Sequence, residues 1–348
     1  MGDSSSELLT DLLKQVSRSF YLTMRVLPPA IRPQIGIAYL LARTSDTIAD
    51  TQIIEPAERL RALDTLREQI LGRSREPFNL GALARQQSSH AEWSLLERVE
   101  ESLALFRQFP SADRHRIRES LAVIISGQEL DLRRFAGASR EHIVSLNNDE
   151  ELDDYTYRVA GCVGELWTHL CRAHLFPKAA LDEDRLMADG VRFGKGLQLL
   201  NILRDLPRDL RQGRCYLPGD RLWAIGLAPI DLLEPASGVK LRPLYDHYLA
   251  EAEAHLAAGW GYVNALPRSQ AWLRLACAWP LLIGLETLEK LRAVNVLAPE
   301  LHVKITRSQV RGIVMRTFLY YPWSKAWAGL FNPRRDSANK VDLKPPFG

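Results

Sequence analysis

The chain has 348 residues, with 45 Lys plus Arg against 42 Asp plus Glu, and a formal net charge of +3. A composition of 46% hydrophobic and 25% charged residues excludes wholesale disorder, and so small a charge excess excludes a general electrostatic pull toward nucleic acid. The four cysteines, Cys162, Cys171, Cys215 and Cys277, form no Cys-x-x-Cys pair, which speaks against a disulfide framework or a structural zinc site and fits a reducing, cytoplasmic compartment.

The predicted elements are helical almost throughout. Leu8, Leu9, Leu12, Leu13 and Val16 form the first apolar stripe. Beyond Pro28-Pro29, apolar residues from Ile35 to Ile48 continue the pattern. Pro56 opens a helix that carries Leu60, Leu63, Leu66 and Ile70. Ile117, Leu121, Ile124 and Ile125 follow, then helical stretches near 155–172, 190–206, 244–262, 270–292 and 305–320. Breaks are expected at Pro110, Pro177, Pro218-Gly219, Pro229 to Gly238, and Pro267. No run of strand periodicity and no internal repeat stands out. The longest apolar run, Leu275 to Leu285, contains Pro280 and falls far short of the roughly 20 residues that span a bilayer. The expectation is one all-α domain over residues 1–331 with a polar, Pro-rich tail at 332–348.

Two constellations carry chemistry. Asp46 and Asp50 are four apart, so a helix places both carboxylates on one face, about 6 Å apart, among apolar neighbours. Asn201, Asp205 and Asp209 repeat every four residues, with Gln198 and Lys195 a turn earlier. Oxygen ligands without His or Cys suit Mg²⁺, which shares its shell with water and substrate phosphates. Arg204, Arg208, Arg211 and Arg214 supply cations for phosphate oxygens. Each group alone also fits a solvated charged stripe; facing each other, the two would hold a Mg–diphosphate cluster. Pro207 interrupts the second group. It removes a backbone donor and is expected to kink the helix, so that Asp209 need not lie one clean turn beyond Asp205 unless a helix restarts there.

Other phosphate and catalytic devices fail. Gly190 to Gly196 resembles a P-loop but is one residue short and has Gly196 where Ser or Thr should stand. No Rossmann glycine pattern, zinc-type histidine pair or nucleophile elbow is present.

The chain resembles the squalene and phytoene synthases, the head-to-head prenyl-diphosphate synthases. The likeness runs from about Ser17 to Val314 and rests on five ordered motifs after a Ser17-Arg18-Ser19-Phe20 opening. These are Tyr39 to Asp50, Gly127-Gln128-Glu129-Leu130-Asp131-Leu132, Tyr155 to Gly164, Gln198 to Asp205 with Asp209, and Gly213-Arg214-Cys215-Tyr216-Leu217-Pro218. The resemblance implies a single α-helical isoprenoid synthase domain around a deep cavity. Asp46, Asp50, Asn201, Asp205 and Asp209 would be its Mg²⁺ face, and the four aspartates and Tyr155 its catalytic residues. Arg43 and Arg214, with Gln198 and Asn201, would contact substrate, and Ser19 and Phe20 would lie near the diphosphates. Tyr155 would guide proton removal or stabilise cationic intermediates. Gly161 and Gly164 are read as close helix packing.

Within that family the sequence favours squalene synthase: two farnesyl diphosphates condensed through presqualene diphosphate, then reduced by NADPH. Val303 to Arg307 resembles the basic segment where the nicotinamide cofactor's phosphates bind, which makes Lys304 and Arg307 the cofactor contacts; a solvated basic helix start is the plainer reading. Gly213 to Pro218 is more like a phytoene synthase, so phytoene or dehydrosqualene formation without reduction stays open. A non-catalytic assembly-factor homologue is the alternative of another class, against which all four aspartates stand. A head-to-tail synthase or terpene cyclase lacks its Asp-Asp-x-x-Asp here. Aromatics and cations mix between Phe318 and Arg335. That is the composition of a peripheral membrane contact through residues 318–335, and equally of an aromatic clasp folded back on the domain.

Overall fold

A computed structural model describes residues 8–17, 20–298 and 303–332. The helices that build the site are α1 (Arg32–Asp50), α2 (Pro56–Leu71), α3 (Ser111–Arg134), α4 (Asp149–Thr156), α5 (Cys162–His174), α6 (Glu183–Arg211), α7 (Gly238–Ala265), α8 (Ala271–Arg292), α9 (Arg307–Tyr320) and α10 (Ser324–Ala328). Their boundaries follow local chemistry. Pro33 and Pro56 occupy first-turn positions, where a missing N–H costs nothing. Asn148 and Asp182 accept from the N–H groups of Glu151 and Arg185, each at 3.0 Å, capping α4 and α6. Thr306 and Gln309 form a capping box on α9.

The apolar stripes bury as their spacing predicts. Leu63, Leu66 and Ile70 of α2 and Ile117, Leu121 and Ile125 of α3 are all buried in the core. α6 lies centrally, against α7 along its length and against α5 and α8. Its crossing with the segment after α4 is glycine-lined. A Cβ on Gly164 would meet the Gly190 carbonyl at 2.0 Å, and one on Gly194 would meet the Ala160 carbonyl at 2.1 Å. The P-loop-like run from Gly190 to Gly196 is therefore a mid-helix packing surface. Between α4 and α5 the chain makes one π-helical turn, Tyr157–Gly161.

Two features depart from the sequence expectation. A two-stranded parallel ribbon, β1 (Val144–Leu146) with β2 (Arg214–Pro218), joins the N-terminal side of α4 to the end of α6. Three and five residues are too few to show strand periodicity. Gly213 makes the sharp entry to β2 with φ at 78°, and its absent Cβ would stand 2.4 Å from the Ser139 nitrogen.

Second, Pro207 does not break α6, which is continuous from Glu183 to Arg211. The carbonyl four residues before it, Leu203, loses its helical donor. The buried Tyr245 hydroxyl of α7 donates to that oxygen at 3.0 Å. Pro280 in α8 is treated in the same way: the Thr23 hydroxyl donates to the Ala276 carbonyl at 3.4 Å. α8 is long and apolar enough to cross a membrane by composition, but 67% of that window is buried within the fold.

The segment from residue 318 divides. Trp327 and Phe331 stack on Trp260 at 5.3 and 5.7 Å, and Trp327 Nε1 donates to Asn264 at 2.9 Å, so this part is a clasp. Phe318, Leu319 and Trp323 remain exposed. The tail 333–348 lies outside the described residues.

Candidate active site

Five elements converge on one cavity of about 520 Å³. α1 brings Arg43, Asp46 and Asp50; α3 brings Gln128 and Asp131; α4 brings Tyr155. α6 lays Gln198, Asn201, Asp205 and Asp209 along one side, and β2 adds Arg214 and Tyr216. Both oxygen-bearing faces read from helical spacing thus line the same space, Asp209 included.

Each carboxylate has a distinct environment. Asp46 is half-buried, takes a hydrogen bond from the Gln128 amide, and is pushed up to about 7. Desolvation is the main cause, Asp50 adds to it, and Arg43 opposes it. Asp50 is exposed, 3.9 Å from Arg214. Asp205 receives both arms of Arg204 at 2.9 and 2.8 Å. Asp209 is buried, meets Arg208 at 3.4 Å, and is pushed up to about 6 by desolvation. Arg43, which lines the cavity, is paired with Glu92 at 2.7 Å.

At the cavity's aromatic side, Tyr155 stacks on Tyr216 with ring centroids 4.7 Å apart, and Phe135 meets Tyr216 edge-on. The Tyr216 hydroxyl donates to Asp131 at 2.6 Å. Asp131 is pushed up to about 6 by burial, against the pull of Tyr216, Arg214 and Arg134. Burial and the Asp131 charge hold the Tyr155 hydroxyl well above the ordinary tyrosine range, so it keeps its proton. Gln128, Asp131 and Tyr216 had no role in the sequence reading, though all three stand in its quoted motifs. Gln128 and Asp131 are three apart in one motif, which places them on one helix face.

Ser19 lies outside the described residues, and so does the side chain of Phe20, whose backbone opens the helix Phe20–Val26. Lys304 and Arg307 are exposed at the start of α9 and do not line the cavity.

The donor set fits a divalent cation of the magnesium type in a specific sense. It consists of carboxylate and amide oxygens only, and two of its carboxyls, Asp46 and Asp209, are raised chiefly by desolvation, against the pull of Arg43 and Arg208. Buried Gln128 Oε1 and Asp131 Oδ1 have no hydrogen-bond donor. Among the described residues, however, no three carboxylate, His or Cys groups converge on one point. A cation here would be shared between one face's carboxylates and the oxygens of a bound phosphate ester.

The squalene/phytoene synthase family model matches residues 13–309. The chain is 28% identical over 267 residues to the presqualene diphosphate synthase of Zymomonas mobilis, covering 77% of this chain and 78% of that protein. It is 28% identical over 277 residues to the 15-cis-phytoene synthase of Synechocystis, covering 78% and 72%. The solved structure of TcSQS with the ligand BPH1237 superposes with a TM-score of 0.75 at 22% identity, over 94% of this chain and 89% of that one. At that identity the likeness establishes the all-α fold.

Proposed function

Because the chain belongs to the squalene/phytoene synthase family, whose members join prenyl diphosphates head to head, we propose that it condenses two farnesyl diphosphates to presqualene diphosphate. The observation that carries this reading is the convergence of Asp46 and Asp50 with Asn201, Asp205 and Asp209 on one cavity that also holds Arg43, Arg214 and Tyr155. A non-catalytic relative would have no use for four aspartates gathered on one cavity, two of them raised by desolvation.

Ionisation of the allylic C–O bond leaves a carbocation and a departing diphosphate. Asp46, Asp50, Asn201, Asp205 and Asp209 would hold Mg²⁺, which when bound supplies Lewis-acid stabilisation of the leaving group. Arg43 and Arg214 present planar donor pairs to diphosphate oxygens. Arg208, which lines the cavity and meets Asp209 in this structure, would be freed for the same oxygens once that carboxylate turns elsewhere. The stacked faces of Tyr155 and Tyr216 place negative quadrupole density where cationic carbon forms. Tyr155 keeps its proton and acts as a hydrogen-bond donor, and Asp131, ionised above about pH 6, is the acceptor that orients the tyrosine pair.

Reduction to squalene with NADPH is the further step read from the sequence. Its cofactor contacts, Lys304 and Arg307, lie apart from the cavity, so the condensation is the part this geometry supports. Similarity to a phytoene synthase makes the C20 reaction the competing one. Product analysis by mass spectrometry separates them, with Mg²⁺ and farnesyl or geranylgeranyl diphosphate, each with and without NADPH. Presqualene diphosphate from the C15 substrate supports the proposal. Squalene appearing only with NADPH extends it, and phytoene from the C20 substrate replaces it. No product from either overturns the catalytic reading.

A further inference from the structure

α9 has two apolar faces. One is anchored: Ile313 and Thr317 are buried, and Trp279 Nε1 donates to the Thr317 hydroxyl at 2.9 Å. The other points to solvent. Met315 is 69% exposed and Leu319, one turn further on, 58%; Trp323, 60% exposed, stands in the turn just after α9. Phe318, three residues after Met315, packs edge-on against the exposed Trp272 of α8 at 5.9 Å. Arg268, just before α8, donates to the Pro322 carbonyl and the Ser324 hydroxyl on either side of Trp323, which ties the two aromatic ends together. A surface helix of a globular protein normally turns a polar face outward. Here the outer ridge steps in fours from Arg307 to Arg311, Met315 and Leu319, cationic first and apolar after, with the exposed Trp323 in the turn that follows the helix.

Charge repeats the asymmetry. Residues 303–332 contain Lys304, Arg307, Arg311, Arg316 and Lys325 and no carboxylate. Arg316 is paired, to Glu286 at 3.0 Å. For the other four, no ion pair is present among the described residues.

We propose that this face, formed by Trp272, Met315, Phe318, Leu319 and Trp323 with Arg307 and Arg311, docks on an anionic lipid surface. Tryptophan and phenylalanine beside arginine and lysine match the interfacial zone of a bilayer, where rings sit at headgroup depth and cations meet lipid phosphates. A second copy of the chain would bring the same uncompensated positive charge to the contact, so the charge pattern favours lipid over self-association. The clasp of Trp327 and Phe331 on Trp260 keeps the platform rigid, so docking needs no unfolding. The inference goes beyond the proposed reaction and does not depend on which product is made.

The test is co-sedimentation of the full chain with vesicles of phosphatidylcholine alone or mixed with phosphatidylglycerol, alongside tryptophan emission. Wild type should bind the mixed vesicles, with a blue-shifted emission and an affinity that falls with salt. M315E/L319E should bind at least about tenfold more weakly. R311Q should lose part of the salt dependence. All three proteins should show the same thermal melt and the same turnover in vesicle-free assays, since none of these residues lines the cavity. Failure of wild type to bind either vesicle would overturn the proposal, as would wild-type binding by M315E/L319E. So would a vesicle-free dimer that M315E/L319E converts to a monomer, which would assign the face to a second copy.

Discussion

The hydroxyl of Tyr245 donates, at 3.0 Å and out of contact with water, to the carbonyl of Leu203, the oxygen that Pro207 leaves without a helical partner. This is why a proline can stand between Asp205 and Asp209 while both aspartates still face one cavity. Y245F should destabilise the protein by about 1–3 kcal/mol, the cost of an unsatisfied buried carbonyl. In a P207A background the helix can supply its own donor, so the same substitution should cost about 1 kcal/mol less. Urea unfolding of the four proteins of the cycle measures this, and additive effects would show that the two residues are not coupled.

Asp46 illustrates the tension between stability and function at the cavity. Folding raises its pKa to about 7, so the folded chain holds that proton more tightly than the unfolded chain. The contribution to stability is therefore complete below about pH 4 and is lost as pH rises toward 7. Asp131 and Asp209, each pushed to about 6, follow the same direction over a narrower range. D46N removes the titration. The metal-free variant should gain on wild type by about 1 kcal/mol or more between pH 4 and pH 8, while turnover falls at least about a hundredfold. A stability difference that does not change with pH would contradict the assigned cause.

Asp131 acts through its neighbours. D131N keeps the size of the side chain but weakens the acceptor that fixes Tyr216 and, through the stack, Tyr155. The expected result is a loss in kcat of about ten- to a hundredfold, with KM for the diphosphate substrate little changed. The acid limb of the rate profile, to which Asp131 contributes near pH 6 beside Asp209 and Asp46, should shift. If KM rises and kcat holds, the pair is a binding element and not an orienting one.

Two glycines should respond in opposite directions. G164A drives a methyl group into the Gly190 backbone and should cost about 2 kcal/mol or more, by overpacking a crossing that cannot relax through a side chain. G312A, in α9 with open space at its Cβ, should stabilise by about 0.5–1 kcal/mol through helix propensity alone. Thermal melts of the two variants suffice to decide.

The sequence shows the helical faces because their information is local: Asp46 with Asp50, and Asn201 with Asp205 and Asp209, need only the period of a helix. What it conceals is pairing across the chain. The Gln128 contact to Asp46 spans 82 residues and the Tyr216 contact to Asp131 spans 85, and no spacing rule reaches so far. Pro207 misleads for the same reason, since its compensation comes from Tyr245 on another helix. The aromatic stretch near the C-terminus could be read as anchor or clasp because its composition is uniform, whereas burial separates Trp327 and Phe331 from Phe318, Leu319 and Trp323.

The alternation of Arg204 with Asp205 and of Arg208 with Asp209 has a consequence for the order in which ligands are admitted. With these pairs closed and Asp46 protonated, the cavity is close to electroneutral at rest. It therefore offers little to a bare diphosphate, which would find each arginine already engaged, and little to a bare cation, which would find each carboxylate already answered. On the proposed function, a cation and a diphosphate arriving together would open both pairs at once, each taking the partner the other releases. Occupancy by either should then raise the affinity for the other by the same factor, as linkage requires. Such a site would act as a coincidence detector, closed to each ion singly and open to the two in combination.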